Sequence, residues 1–114
     1  MDDPLPVEID VAEAARLLAD RPRRRVLLLD CRTPEEHAIA RIPDSLLLPI
    51  AEIAERVDEL EAWRDAAIIV HCHHGMRSLR VAEWLRGRGF PAVTSMRGGI
   101  DAWSAAIDPG IPVY

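Results

Sequence analysis

The chain has no lysine. All 14 of its basic residues are arginine, against 19 aspartates and glutamates, for a formal charge of −5 and a pI near 5.3. This absence excludes Schiff-base chemistry, a lysine general base and a Walker-type phosphate lysine, so any oxyanion has to be met by arginine or by backbone N–H groups. There is no excess of positive charge either, which speaks against nucleic acid and anionic lipid as partners, since both need a basic face. The longest apolar runs, Val26 to Leu29 and Ala66 to Val70, fall far short of the roughly 18 residues of a membrane span. Cysteine is scarce: Cys31 and Cys72 are the only two, too few for a disulfide scaffold and not in the paired Cys-x-x-Cys spacing of a zinc site. No cofactor and no metal are expected. The acidic, proline-broken start Met1-Asp2-Asp3-Pro4-Leu5-Pro6 is unlike a secretory signal, and the expected setting is a reducing cytoplasm.

What is present fits one domain over residues 1–114. A chain of this mass should fold to about 6,200 Å² of surface and bury roughly two-thirds of what it exposes unfolded. No internal repeat or linker divides it. Short apolar runs alternate with helical stretches. Strands are expected at 7–9, 26–29, 45–48, 67–71 and 92–95, and helices at 11–19, 34–40, 50–64, 79–86 and 100–107. Asp10 with Glu13 reads as a capping-box pair opening the first helix, and Thr33 reads as the N-cap of the second, with Pro34 in its first turn and Glu35 and Glu36 complementing the dipole. The unalternating runs Val26-Leu27-Leu28-Leu29 and Ala67-Ile68-Ile69-Val70 suit strands covered on both faces. The pattern is α/β, a mainly parallel five-stranded sheet with helices on both faces. In such a sheet ligands bind beyond the carboxyl ends of the strands, where Asp30-Cys31-Arg32, Pro49, the loop Cys72 to Arg77, and Met96-Arg97-Gly98-Gly99 should meet.

The segment His71-Cys72-His73-His74-Gly75-Met76-Arg77-Ser78 carries the chemistry. A buried strand delivers Cys72 into a loop that opens a helix, where unpaired backbone N–H groups and the positive dipole end favour thiolate over thiol. Arg77 adds a fixed charge, and Gly75 supplies the backbone freedom for folding N–H groups around one atom.

Three segments in register, Asp30-Cys31-Arg32-Thr33-Pro34-Glu35-Glu36, Cys72-His73-His74-Gly75-Met76-Arg77-Ser78 and Arg97-Gly98-Gly99-Ile100-Asp101-Ala102-Trp103, resemble the single-domain rhodaneses over nearly the whole chain. The resemblance implies a sulfurtransferase in which Cys72 takes a sulfane sulfur from a small sulfur-containing anion such as thiosulfate, holds it as a persulfide, and passes it to a thiol, cyanide or a sulfur-carrier protein. It implies substrate-binding roles for Arg77, His73, His74, Gly75, Met76 and Arg32, with Asp30, Ser78, Arg97 and Gly98 in support. Arg32, Arg77 and Arg97 are expected to gather around Cys72. Phosphatases that share the fold carry Cys-x5-Arg, whereas only four residues separate Cys72 from Arg77, a ring better sized for one sulfur than for a tetrahedral group. The alternatives are a sulfur-relay or regulatory protein-binding module with little turnover of its own and, behind it, a phosphatase- or arsenate-reductase-like enzyme. The family pattern Gly-His-Ile-Pro-Gly-Ala is reduced here to Ile42-Pro43 within Ala40-Arg41-Ile42-Pro43-Asp44-Ser45.

The remaining candidates read more plainly. Cys31 is expected to pack as a small hydrophobe, with a resolving role beside Cys72 as the alternative. His71 is expected to face inward on a backbone partner and His37 to lie on the surface. The run Arg21, Arg23, Arg24 and Arg25 belongs at the sheet end opposite Cys72, and Trp63, Trp84 and Trp103 are packing residues.

Overall fold

Residues 5–114 are described, from a computed structural model. Five strands run in parallel: β1 (Glu8–Ile9), β2 (Val26–Asp30), β3 (Leu46–Leu47), β4 (Ala67–His71) and β5 (Val93–Met96), in the order β1-β5-β4-β2-β3. The helices are α1 (Val11–Ala19), α2 (Pro34–Ile39), α3 (Ile53–Arg56), α4 (Met76–Gly87) and α5 (Gly99–Ala106).

The two central strands are buried at every residue, as their unalternating composition requires, and each divides its side chains between two cores. Leu28 and Ile69 join α1 and α5 through Ala14, Leu17, Leu18, Ile100 and Trp103 on one face. Leu27, Leu29, Ile68 and Val70 meet α4 and the segment after β3 through Val81, Leu85, Ile53 and Leu60 on the other. Each fully buried aliphatic side chain contributes about 1.5–3 kcal/mol. The accessible surface, 6263 Å², matches the area expected for the mass.

Beyond shifts of one residue at several ends, two elements differ from the expected ones. The stretch expected as one helix over 50–64 breaks into a 3-10 turn (Ile50–Glu52), α3, and a second 3-10 segment (Val57–Trp63). Ile50, Ile53, Val57 and Leu60 still face the same core through these shorter turns. Helix α4 begins at Met76, three residues before the expected start, because Gly75 at φ 114° takes the cap position that Ser78 was expected to fill. Asp10 caps α1 by accepting from the Glu13 amide, but Glu13 turns to Arg16 and closes no capping box. Thr33 and Glu36 do close one. Asp44, standing where the rhodanese pattern has glycine, adopts a left-handed φ of 66°, a conformation aspartate tolerates better than most residues.

The connections leave β2 toward β3 and leave β4 toward β5, in opposite directions across the sheet. The crevice between the ends of β2 and β4 is therefore the topological switch point, the place where a parallel sheet opens a ligand site. Cys31 and Cys72 lie one residue past those two ends.

Candidate active site

Cys72 follows β4 and starts the loop that α4 closes. Its sulfur accepts from the Gly75 amide at 3.0 Å and the Ser78 amide at 3.4 Å, with the Ser78 hydroxyl at 3.5 Å. Cys31 sits in the same core cluster beside it and is the largest influence on the Cys72 acidity. Burial opposes it, and the Ser78 hydroxyl and the two loop amides add to it, so the thiol pKa falls to about 4. That shift favours the thiolate at neutral pH, and the Gly75 and Ser78 amides are aimed at the sulfur. The same pairing, with burial and the neighbouring negative charge, pushes the Cys31 thiol far up, so Cys31 keeps its proton.

The strand-end segments converge as the topology requires. The Ile100 amide donates to the Cys72 carbonyl at 2.9 Å and the Asp101 amide to the His73 carbonyl at 3.2 Å, tying the start of α5 to the loop. Gly98 caps α5 at φ 80°. Gly99, at φ 60°, lets the two backbones approach: a Cβ there would stand 2.4 Å from both the Cys72 and His73 carbonyl oxygens. From the other side the Ile50 amide donates to the Cys31 carbonyl at 2.9 Å.

The arginines are arranged differently from the expected gathering. Arg77 reaches Glu36 with both terminal nitrogens, at 2.7 and 2.9 Å, and stays one-third exposed beside the site. Arg32 is fully buried, so the substrate contact expected of it is not available. Its fork lies on Asp30 at 2.8 and 2.9 Å, with further bonds to the Ala40 carbonyl at 2.6 Å and the Tyr114 hydroxyl at 2.8 Å. It braces β2 against α2 and the chain end, a use the apolar core favours because a buried guanidinium must have partners. Arg97 bonds Glu8 at 3.1 Å and is largely exposed, held toward the edge strand rather than toward Cys72.

Asp30 also accepts from His37 Nδ1 at 2.8 Å, so His37 is not the free surface residue expected. Burial alone would raise the Asp30 pKa, but Arg32, His71 and His37 outweigh it and hold the carboxylate charged. His71 is fully buried and its ring nitrogens have no hydrogen-bond partner among the described residues, contrary to the backbone partner expected. Burial lowers its pKa to about 4 and keeps it neutral.

At the mouth, the His73 ring stacks on Tyr114 at 4.0 Å and on His74 at 3.9 Å. The Tyr114 hydroxyl donates to Glu36 at 2.7 Å. Met76 is exposed at the start of α4. His73, His74 and Asp101 place one ligand atom each within 4.8 Å of one another, the only such group among the described residues. Under the site, Ser78 pairs with Ser95 at 2.7 Å. Sequence reasoning passed over Glu36, Tyr114 and Ser95. Glu36 had a signal, its place in the capping box, but nothing local distinguishes Tyr114 or Ser95.

The rhodanese-like domain family matches residues 10–106, and the chain belongs to it. The chain is 39% identical over 106 residues to a sulfurtransferase of Allochromatium vinosum, covering 93% of this chain and 92% of that one. It is 39% identical over 98 residues to the thiosulfate sulfurtransferase GlpE of Pseudoalteromonas translucida, covering 86% and 89%. A rhodanese-related protein from Thermoplasma volcanium superposes with a TM-score of 0.76 at 31% identity, covering 96% of this chain and 98% of that one. Other relatives carry the same segment as only 19–30% of a longer chain. The relatives support a sulfurtransferase role.

Proposed function

We propose that the protein takes a sulfane sulfur from thiosulfate or another persulfide donor onto Cys72 and passes it to a thiol, cyanide or sulfur-carrier protein, in the reducing cytoplasm where its two thiols stay free. The observation that carries this reading is the Cys72 sulfur accepting from the Gly75 and Ser78 amides at 3.0 and 3.4 Å, a setting that favours its thiolate. An ionised sulfur attacks the outer sulfur of thiosulfate. Sulfite leaves, and the transferred atom remains on Cys72 as a persulfide anion. The loop donors that stabilise the thiolate serve the added charge as well. Arg77, one-third exposed beside the loop, is the cation that meets the donor, and His73, His74, Gly75 and Met76 shape the mouth. Asp30, Ser78 and Gly98 hold that geometry. Four residues between Cys72 and Arg77 make a ring suited to one sulfur, which favours sulfur transfer over dephosphorylation.

Incubation with thiosulfate should leave one extra sulfur on Cys72 by mass spectrometry, and Cys72→Ser should abolish thiosulfate-to-cyanide transfer. Cleavage of a phosphoester with no persulfide formed would contradict the reading. A second reading has its own observation: Glu36 engages both ends of the Arg77 fork, leaving a small anion to compete for it, as suits a relay module. A persulfide that reaches cyanide slowly and a carrier protein readily would mark that case.

A further inference from the structure

Cys31 and Cys72 are the next pair in the parallel ladder of β2 and β4. Asp30 and His71 are register partners at the strand ends, and the Cys31 amide donates to the His71 carbonyl at 3.1 Å, carrying the ladder one step further. Both sulfurs fall on the same face of the sheet. Leu27, Leu29 and Cys31 alternate into one core with Ile68, Val70 and Cys72, while Leu28 and Ile69 enter the other. Neighbouring strands run about 4.8 Å apart, within the roughly 4.4–6.8 Å between Cα atoms that a disulfide spans. Neither cysteine is in a disulfide, and Cys31 has no exposed surface. No acceptor from solution reaches it. The electrophile within its reach is whatever sulfur Cys72 carries.

We propose that Cys31 resolves the Cys72 persulfide: its sulfur attacks Cys72 Sγ, the outer sulfur leaves as sulfide, and a Cys31–Cys72 disulfide closes. This rests on the persulfide reading above. The step balances without an added oxidant. The S–S bond to the outer sulfur breaks as the bond between the two Sγ atoms forms, the Cys31 proton goes to the departing sulfur, and Cys72–S–S⁻ plus Cys31–SH gives the disulfide plus HS⁻. The sulfane sulfur is reduced to sulfide, and the two cysteines are oxidised together. An external dithiol attacking Cys72 through the loop mouth then restores both thiols by ordinary exchange. The chain thereby gains a second activity, reduction of sulfane sulfur to sulfide by a dithiol. It competes with transfer, because an intramolecular thiol already in place needs no encounter. External acceptors collect sulfur only when they arrive before Cys31 reacts.

The test loads reduced full-length protein with thiosulfate, removes small molecules by rapid desalting, and follows the protein without reductant. Wild type should release one sulfide per persulfide while a Cys31–Cys72 cross-linked peptide appears after alkylation and digestion. Cys31→Ser, which keeps a donor, and Cys31→Ala, which suits the apolar core, lose the largest acidifying neighbour of Cys72 and should load more slowly at neutral pH; loaded to the same extent at higher pH before desalting, both should hold the sulfur and yield neither sulfide nor cross-link. Wild type that holds its persulfide as long as the two variants, or sheds sulfide without a cross-link, overturns the Cys31 step and leaves the persulfide reading standing. Failure of all three proteins to take up sulfur overturns the persulfide reading, and the Cys31 step with it.

Discussion

Glu36 accepts from both terminal nitrogens of Arg77, at 2.7 and 2.9 Å, across 41 residues of sequence. The pair sets the Glu36 carboxyl well below the usual range, chiefly through the Arg77 hydrogen bonds, and joins helix α2 to the catalytic loop. Glu36→Gln removes the carboxylate and leaves the fork open to a bound anion. The KM for thiosulfate should fall, and inhibition by sulfate should strengthen. Stability should drop by about 1–3 kcal/mol, the range for a charged hydrogen bond lost from a partly buried site. Steady-state kinetics with a sulfate titration, paired with urea unfolding, checks all three. An unchanged KM would separate Arg77 from donor binding.

The depressed Cys72 pKa fixes a pH profile. An ordinary thiol ionises near 8.5, whereas Cys31 and the loop donors beside Cys72 lower its pKa to about 4. The thiolate is the form favoured by the fold, so its reactivity persists above that value and is lost as pH falls through it. Alkylation of Cys72 by iodoacetamide should stay flat from neutral pH to about 5 and fall with a midpoint near 4. In Cys31→Ala the midpoint should move up.

Asp30 and Arg32 form a buried pair that also anchors His37 and Tyr114. Asp30→Asn leaves the Arg32 guanidinium buried without its counter-charge, at a cost of about 3–5 kcal/mol. Urea unfolding should show this loss, with the loop chemistry affected only through stability. A loss under about 1 kcal/mol would mean that Arg32 finds a replacement partner.

Gly99 lets α5 meet the loop backbone. Gly99→Ala puts a methyl group against the Cys72 and His73 carbonyls and adds about 1–2 kcal/mol of left-handed strain, so the bonds from Ile100 and Asp101 should break and persulfide formation should slow. Gly87→Ala, which meets nothing within 4 Å, is the control and should be neutral or slightly stabilising. Equal behaviour of the two variants would argue against this contact as the loop's support.

Strands β2 and β4 were legible because full burial leaves a continuous apolar run, and Thr33 as an N-cap because threonine before Pro34 and two glutamates is a local pattern, whereas the capping box expected of Asp10 and Glu13 closes at Thr33 and Glu36 instead. The order of motifs also placed Cys72 at a strand end, and Gly75 was readable as the residue that frees the loop. Contacts between distant side chains leave no such trace. Tyr114 reaches Glu36 and His73 from the end of the chain, and Arg97 turns to Glu8 because a single acidic side chain on the edge strand lies within reach. Ser78 looked like a cap because serine favours that position, yet Gly75 took it through a backbone angle that serine rarely adopts, freeing Ser78 to face the sulfur.

The most direct measurement is the mass of Cys72 in purified protein after thiosulfate, compared with Cys72→Ser. One added sulfur on Cys72, absent in the variant together with thiosulfate-to-cyanide transfer, is the result expected of a persulfide sulfurtransferase. An unmodified Cys72, or transfer that survives in Cys72→Ser, would contradict it.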